Sequence, residues 1–264
     1  MELRTSGIER WAALALELNW VAQWVEGAIF PTEMVFLLAT CESLGIGYII
    51  ESGRQDGYSS QILGEFARCT GVKVASIDYE EDKERGQRCR ERLAEYPIDL
   101  RVGNAFALLG AMVDEARRAP IALLIDGPKG FGALSLAAAV TADPRVVLLA
   151  MHNLDPGTGY RRMLESASGR PLFYEEALDN PGGAWRRLRE VEHEHCMKIS
   201  ARRSLDHSTL GIVQIGDAER AALRGLWGAP FKFYQPPLVR LGIQLKLYRQ
   251  AASLFSLSFR VFGS

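Results

Sequence analysis

Apolar and polar positions change rhythm along the chain. Over residues 11–30 the apolar positions recur at helical spacing, through Val21, Trp24, Val25 and Ala28, which predicts one amphipathic helix ended by Pro31. Thr32 and Glu33 open a second apolar helix through Met34, Phe36, Leu37 and Leu38, stopped near Gly45. Short apolar runs follow at 46–51, 72–78, 98–102, 121–126 and 146–150, separated by segments of helical periodicity at 59–68, 82–96, 105–118 and 134–142. Buried strands alternating with helices predict a doubly wound, mostly parallel α/β sheet with right-handed crossovers.

Residues 160–204 are rich in Arg and Glu and are broken by Pro171, Pro181, Gly182 and Gly183. They read as an irregular helical excursion that covers a ligand site. A further strand is expected at 209–215. Near the C-terminus, Leu241, Ile243, Leu245 and Leu247 alternate with polar or small residues, as do Leu257, Phe259 and Val261. Period two favours strands there, bringing the expected sheet to seven strands. The organisation is then an N-terminal helical extension (1–40), one sheet domain (41–217) with 160–204 as its lid, and a C-terminal extension (218–264). The Trp11, Trp20 and Trp24 stripe predicts core or homodimer contact rather than a stacking platform.

Composition narrows the classes. A chain of 264 residues with 48% hydrophobic positions can bury one full-sized core. A formal net charge of -1 supplies no general field for nucleic acid, so no nucleic-acid partner is expected. No apolar run reaches the roughly 18 residues of a membrane span, and Glu2, Glu9 and Glu17 interrupt the N-terminus, unlike a signal peptide. Cys41, Cys69, Cys89 and Cys196 are scattered, which predicts reduced thiols and a cytoplasmic setting. From Arg220 to Ser264 there are basic residues and no Asp or Glu. That asymmetry has two readings: peripheral contact with an anionic membrane, or a hairpin with solvated charges.

The candidate chemistry begins where the first strand meets a helix. Glu51, Gly53 and Gly57 stand at that junction, where glycines let backbone N–H groups approach a ligand and Glu51 can accept from a cationic amine. Asp78, 21 residues beyond Gly57, ends the second run, where an acid can accept from both hydroxyls of a ribose. Asn104 and Ala105 follow the third run. A dinucleotide site also uses glycines and an acid, but its fingerprint needs closer glycines than Gly53 and Gly57. A plain tight turn explains the glycines but not Asp78.

The stretch Glu51, Ser52, Gly53, Arg54, Gln55, Asp56, Gly57 resembles the E-x-G-x-x-x-G motif of class I S-adenosylmethionine-dependent methyltransferases. Gly57, Tyr58 and Ser59 repeat the G-Y-S continuation of that class's small-molecule O-methyltransferases. The resemblance spans about residues 31–215. It implies a Rossmann-like fold that binds S-adenosylmethionine through Glu51, Gly53, Gly57, Tyr58, Ser59, Asp78, Asn104 and Ala105. Gly53, Gly57 and Ser59 would line the methionine part, Asp78 would hold the ribose, and Asn104 with Ala105 would border the adenine.

The fourth run ends in Asp126, Gly127, Pro128 and Lys129, and the fifth is followed by His152, Asn153 and Asp155. Methyl transfer to oxygen needs an aligned, deprotonated nucleophile and a base or metal that lowers its pKa. Asp126-x-x-Lys129 resembles the D-x-x-K of divalent-metal-dependent O-methyltransferases, which implies Asp126, His152 and Asn153 as metal ligands and Lys129 as an aid to deprotonation. That family carries an Asp-Asn pair after the fifth strand, where this chain has His152-Asn153. Imidazole in place of carboxylate removes a charge and suits magnesium poorly, so Asp155 or direct base action by His152 stand as alternatives. The bland readings are a helix-capping Asp126, a solvated Lys129 and a structural His152. Together these residues predict methyl transfer to an oxygen of a small molecule or sugar, the alternative being a cofactor-binding scaffold or regulatory partner that has lost catalysis.

Overall fold

A computed structural model describes residues 5–80, 82–168, 171–178, 182–199 and 208–225. In chain order the helices and strands are α1 (Thr5–Glu17), α2 (Trp20–Gln23), α3 (Pro31–Ser43), β1 (Tyr48–Ser52), α4 (Tyr58–Thr70), β2 (Lys73–Asp78), α5 (Lys83–Leu93) and β3 (Ile98–Val102). They continue with α6 (Ala105–Glu115), β4 (Ile121–Ile125), α7 (Phe131–Val140), β5 (Val146–Met151), α8 (Gly159–Ser168), α9 (Tyr174–Ala177), α10 (Gly183–Ile199), β6 (Gly211–Gln214) and α11 (Asp217–Gly225). Local chemistry sets several boundaries. Pro31 occupies the first turn of α3, where its missing N–H costs nothing, and Glu33 accepts from the Phe30 N–H at 3.0 Å. Gly71 ends α4 in the left-handed conformation, its N–H donating to Ala67 O. Asp82 and Asn104 cap α5 and α6 through their side-chain oxygens.

The described sheet has six strands in the order β3-β2-β1-β4-β5-β6. The first five are parallel and β6 runs antiparallel to β5. This is the expected doubly wound α/β architecture, with six strands among the described residues where seven were predicted. The strands expected at 241–247 and 257–261, and most of the basic C-terminal extension, lie outside the described residues. β1 and β4 are buried on both faces, as a parallel sheet covered by helices requires. Ile49 points into the core that contains α1, α3, α4 and α10, while Ile50 points into the opposite core of α6, α7 and α11.

Three sequence expectations need correction. The helix predicted over 11–30 is broken: α1 stops at Glu17 and Asn19 turns left-handed at φ 52°. Asn tolerates that conformation better than most residues, and the turn lets Trp20 O accept from the Tyr58 hydroxyl at 3.0 Å. The N-terminal segment is no appendage either. Trp11, Trp20, Trp24 and most of α3 belong to the same core as Phe66 of α4, which is the core alternative of the two readings of the tryptophan stripe.

The lid assigned to 160–204 fails for its longest part. Trp185, Leu188 and Cys196 of α10 are buried in the core with α1 and α3, and Glu192 accepts from the Thr32 N–H and hydroxyl, both at 2.8 Å. Glu9 of α1 accepts from the Ala184 and Trp185 N–H groups at the start of α10. The density of Arg and Glu on the outer face of this helix obscures its apolar stripe in the sequence.

Candidate active site

The strand order reverses at β1, whose neighbours β2 and β4 carry the chain away in opposite directions, so the crevice of this sheet opens beyond the carboxyl ends of β1 and β4. Two loops meet there. Asp126 N–H and Gly127 N–H both donate to Ser52 O at 2.8 Å, and the Ser52 hydroxyl donates to Gly127 O. Gly53 sits at φ 87°, and a Cβ there would lie 2.4 Å from Gly127 N. Only glycine allows this approach of one loop to the other.

The loop after β1 is unusual in its backbone. Gly53, Gln55 and Gly57 all have positive φ, at 87°, 46° and 80°. Asp78, at the end of β2, holds this shape: its Oδ2 accepts from Arg54 N–H at 2.8 Å and Gln55 N–H at 3.1 Å, and its Oδ1 accepts from Glu80 N–H at 2.8 Å. Asp78 therefore does stand beside the glycine loop, but three of its acceptor positions are already engaged by backbone. Asn104 caps α6 by accepting from Phe106 N–H at 2.9 Å, and Ala105 is the first residue of that helix.

Two side chains absent from the sequence argument stand out near Asp78. Tyr79, the next residue, is 59% exposed, and Val102, paired with Asp78 in the sheet register, is 56% exposed. Large apolar side chains left in water at two adjacent strand ends offer a surface for a flat ligand. Strand register alone brings them together, so the sequence signal was limited to their positions just past or at the end of each apolar run.

Three residues assigned to the cofactor do something else. Glu51 is fully buried, and its carboxylate accepts from the hydroxyls of Ser59, Ser60 and Ser76, so it is not placed to receive a cationic amine. Burial raises its pKa, against the lowering effect of the three hydroxyls. Ser59 is correspondingly engaged with Glu51 rather than open to a ligand. Tyr58 is buried in the α3–α4 core with its hydroxyl on Trp20 O, and burial drives its pKa well above the ordinary phenol value. Helix geometry explains this: residues in the first turn of α4 point back onto the sheet and the N-terminal helices.

Across the crevice, Asp126, Lys129 and His152 come together as expected. His152 Nδ1 lies 2.7 Å from Asp126 Oδ1, and the Lys129 ammonium donates to the same oxygen. Asp126 and His152 are 7% and 6% exposed, whereas the Lys129 side chain is half exposed. Burial on its own would raise the Asp126 pKa; the hydrogen bond and charge of His152, then those of Lys129, outweigh it and hold the carboxyl below its ordinary range. An ionised carboxylate only accepts, so His152 carries a hydrogen on Nδ1, and in the neutral ring Nε2 is then the acceptor. Asn153 follows in the left-handed conformation at φ 62°, with its buried Oδ1 lacking a hydrogen-bond partner among the described residues.

The predicted metal set does not fit this geometry. Asp126 is engaged by one cation and by His152, whose Nδ1 faces the carboxylate rather than an ion shared with it. Hard divalent ions want several oxygen ligands, and one paired carboxylate, an imidazole and an amide form a poor set. No group of three or more His, Cys, Asp or Glu that could hold a metal exists among the described residues.

Comparison with known proteins gives no matching family model and no matching curated protein. Among solved structures, the chain is similar to the S-adenosylhomocysteine-bound methyltransferase PaMTH1 of Podospora anserina, at 14% identity over 78% of this chain and 88% of that one, with a TM-score of 0.47. An O-methyltransferase from Bacillus cereus in complex with S-adenosylhomocysteine shares 16% identity over 78% and 91% of the two chains, with a TM-score of 0.43. TomG from Streptomyces achromogenes, an O-methyltransferase solved with S-adenosylmethionine, shares 16% over 80% and 90%, again with a TM-score of 0.43.

Proposed function

We propose that this chain is an S-adenosylmethionine-dependent methyltransferase acting on an oxygen of a small molecule or sugar. The observation that carries the reading is the placement of two different chemistries on either side of one crevice. A glycine loop held open by Asp78 lies beyond β1, and a buried Asp126–His152 pair lies beyond β4 and β5. The loop fits a nucleoside-bearing ligand: Gly53 lets it close against the Gly127 loop, Gly57 lets it pack against Cys89 and Leu93 of α5, and Tyr79 and Val102 present apolar surface next to Asp78. Gly53, Gly57, Asp78, Asn104 and Ala105 remain the proposed contacts, joined by Tyr79, while Glu51, Tyr58 and Ser59 support the loop from below.

When bound, S-adenosylmethionine supplies an electrophilic methyl group on a sulfonium. The residues of this chain prepare the acceptor. His152 Nε2 takes the proton from the acceptor hydroxyl, and Asp126 holds the ring in the required tautomer and stabilises the imidazolium that results. Lys129 places a positive charge beside the developing oxyanion. No step uses a metal.

No described helix is long and apolar enough to cross a membrane. The cytoplasmic setting in this proposal is supported by the four free thiols.

Titration calorimetry with S-adenosylmethionine and S-adenosylhomocysteine tests the reading, followed by methyl-transfer assays across hydroxylated acceptors. Micromolar binding and chelator-resistant turnover are expected. Absence of binding to both compounds would overturn the proposal, and binding without turnover on any acceptor would leave the scaffold reading.

A further inference from the structure

Arg54 occupies a position that the glycine motif leaves unspecified, yet its side chain is completely buried. Its guanidinium donates to Ser76 O on β2 at 3.0 Å, to Arg101 O on β3 at 2.7 Å, and to the carboxylate of Glu80. Its backbone is held as firmly: the N–H donates to Asp78 and the carbonyl accepts from Gly57 N–H at 2.7 Å. Burying a guanidinium is costly unless it is paired and hydrogen-bonded, and here it has a carboxylate and two carbonyls. Arg90 of α5 donates to the other oxygen of Glu80, so the buried pair is anchored outward to a helix.

The geometry points to Arg54 as the positioning residue for the nucleoside side of the crevice, acting through the two acids that flank Tyr79. Asp78 grips the backbone of Arg54 and Glu80 grips its side chain, so the short segment between the acids is defined at both ends. Glu80 itself sits at φ 50° and donates its N–H back to Asp78 Oδ1. Tyr79, the exposed aromatic between them, is thereby set beside the glycine loop. A loop with three positive-φ residues needs such outside support, because its conformation is not one that most residues adopt unaided. Preorganising it removes an ordering cost from ligand binding. The inference rests on the cofactor reading proposed above and assigns the selection of a nucleoside-bearing ligand to a buried ion pair that makes no contact with it.

The test measures S-adenosylhomocysteine binding by calorimetry in wild type, Arg54→Met, Arg54→Lys and Glu80→Gln, with thermal midpoint and circular dichroism on each. Affinity is expected to fall about tenfold or more in Arg54→Met, with Arg54→Lys failing to restore it because an ammonium cannot span three acceptors. Glu80→Gln, which keeps the shape and one acceptor, should weaken binding less, by about threefold. In turnover assays the loss should fall on the cofactor KM, with the acceptor KM unchanged. Unaltered affinity in a folded Arg54→Met overturns the inference; if that variant does not fold, unaltered affinity in Glu80→Gln does so. Failure of the wild type to bind S-adenosylhomocysteine would instead overturn the cofactor reading.

Discussion

His152 Nδ1 lies 2.7 Å from Asp126 Oδ1, joining the residue after β5 to the residue after β4 within a buried pocket. Because the carboxylate only accepts, this contact decides which imidazole nitrogen is free for the acceptor. Asp126→Asn and His152→Gln should each lower kcat by about 10²–10⁴-fold, the usual worth of general-base catalysis. Calorimetry should find S-adenosylhomocysteine affinity unchanged in both. A rate abolished by chelator and restored by a divalent ion would show that the pair serves a metal after all.

Gly53 and Gly71 are both left-handed, at φ 87° and 75°, but they differ in surroundings. An alanine Cβ at 53 meets Gly127 backbone at 2.4 Å, whereas nothing lies within 4 Å of one at 71. Gly71→Ala should cost only about 1–2 kcal/mol of backbone strain and leave ligand binding intact. Gly53→Ala should lose more stability than this in urea titration and also lose detectable binding, because it must push the two loops of the crevice apart.

The Tyr58 hydroxyl donates to Trp20 O inside the core. Tyr58→Phe should therefore destabilise the fold by about 1 kcal/mol in urea titration. Cofactor affinity should not change. A fall in affinity without a fall in stability would return Tyr58 to the binding site.

Glu192 is buried on Thr32, and burial pushes its pKa up to about 8 from an ordinary value of 4.5. Between those values the folded protein holds a proton that the unfolded chain releases, so this contribution to stability is fully present below 4.5 and is lost as pH rises through about 8. The buried Glu51 shifts in the same direction. Asp126 shifts downward, so its contribution is lost only at more acidic pH and does not offset the trend. The thermal midpoint should decline from about pH 5 to about pH 9, and Glu192→Gln should flatten that decline. An unchanged slope in the variant would remove Glu192 as its source.

The alternation of apolar runs with helical segments located β1 to β5 to within a few residues: β4 and β5 are continuously apolar because both their faces are buried, while the edge strand β3 alternates Ile98, Leu100 and Val102 with Asp99 and Arg101. The same pattern concealed the break at Asn19, since the apolar positions of α1 and α2 keep their spacing across it. In the candidate site, Asp126 and His152 were legible because each directly follows an apolar run, which is where side chains reach a crevice, and Lys129 through its D-x-x-K spacing from Asp126. Arg54, Glu80 and Tyr79 were not. Their arrangement depends on the pairing of β2 with β1 and β3, and nothing local encodes which carbonyl a guanidinium will meet.

By itself the sequence determined the order of strands and helices and the residues that stand at the carboxyl ends of β1, β2, β4 and β5. Those follow from local periodicity and from glycines that backbone shape demands. Tertiary structure decided what each of those residues faces. It turned Glu51, Tyr58 and Ser59 inward, fitted α10 into the core and brought His152 onto Asp126. The physical reason is that hydrogen-bond partners and burial are set by contacts distant in the chain, and a carboxylate takes its role from whichever donors the packed elements deliver to it.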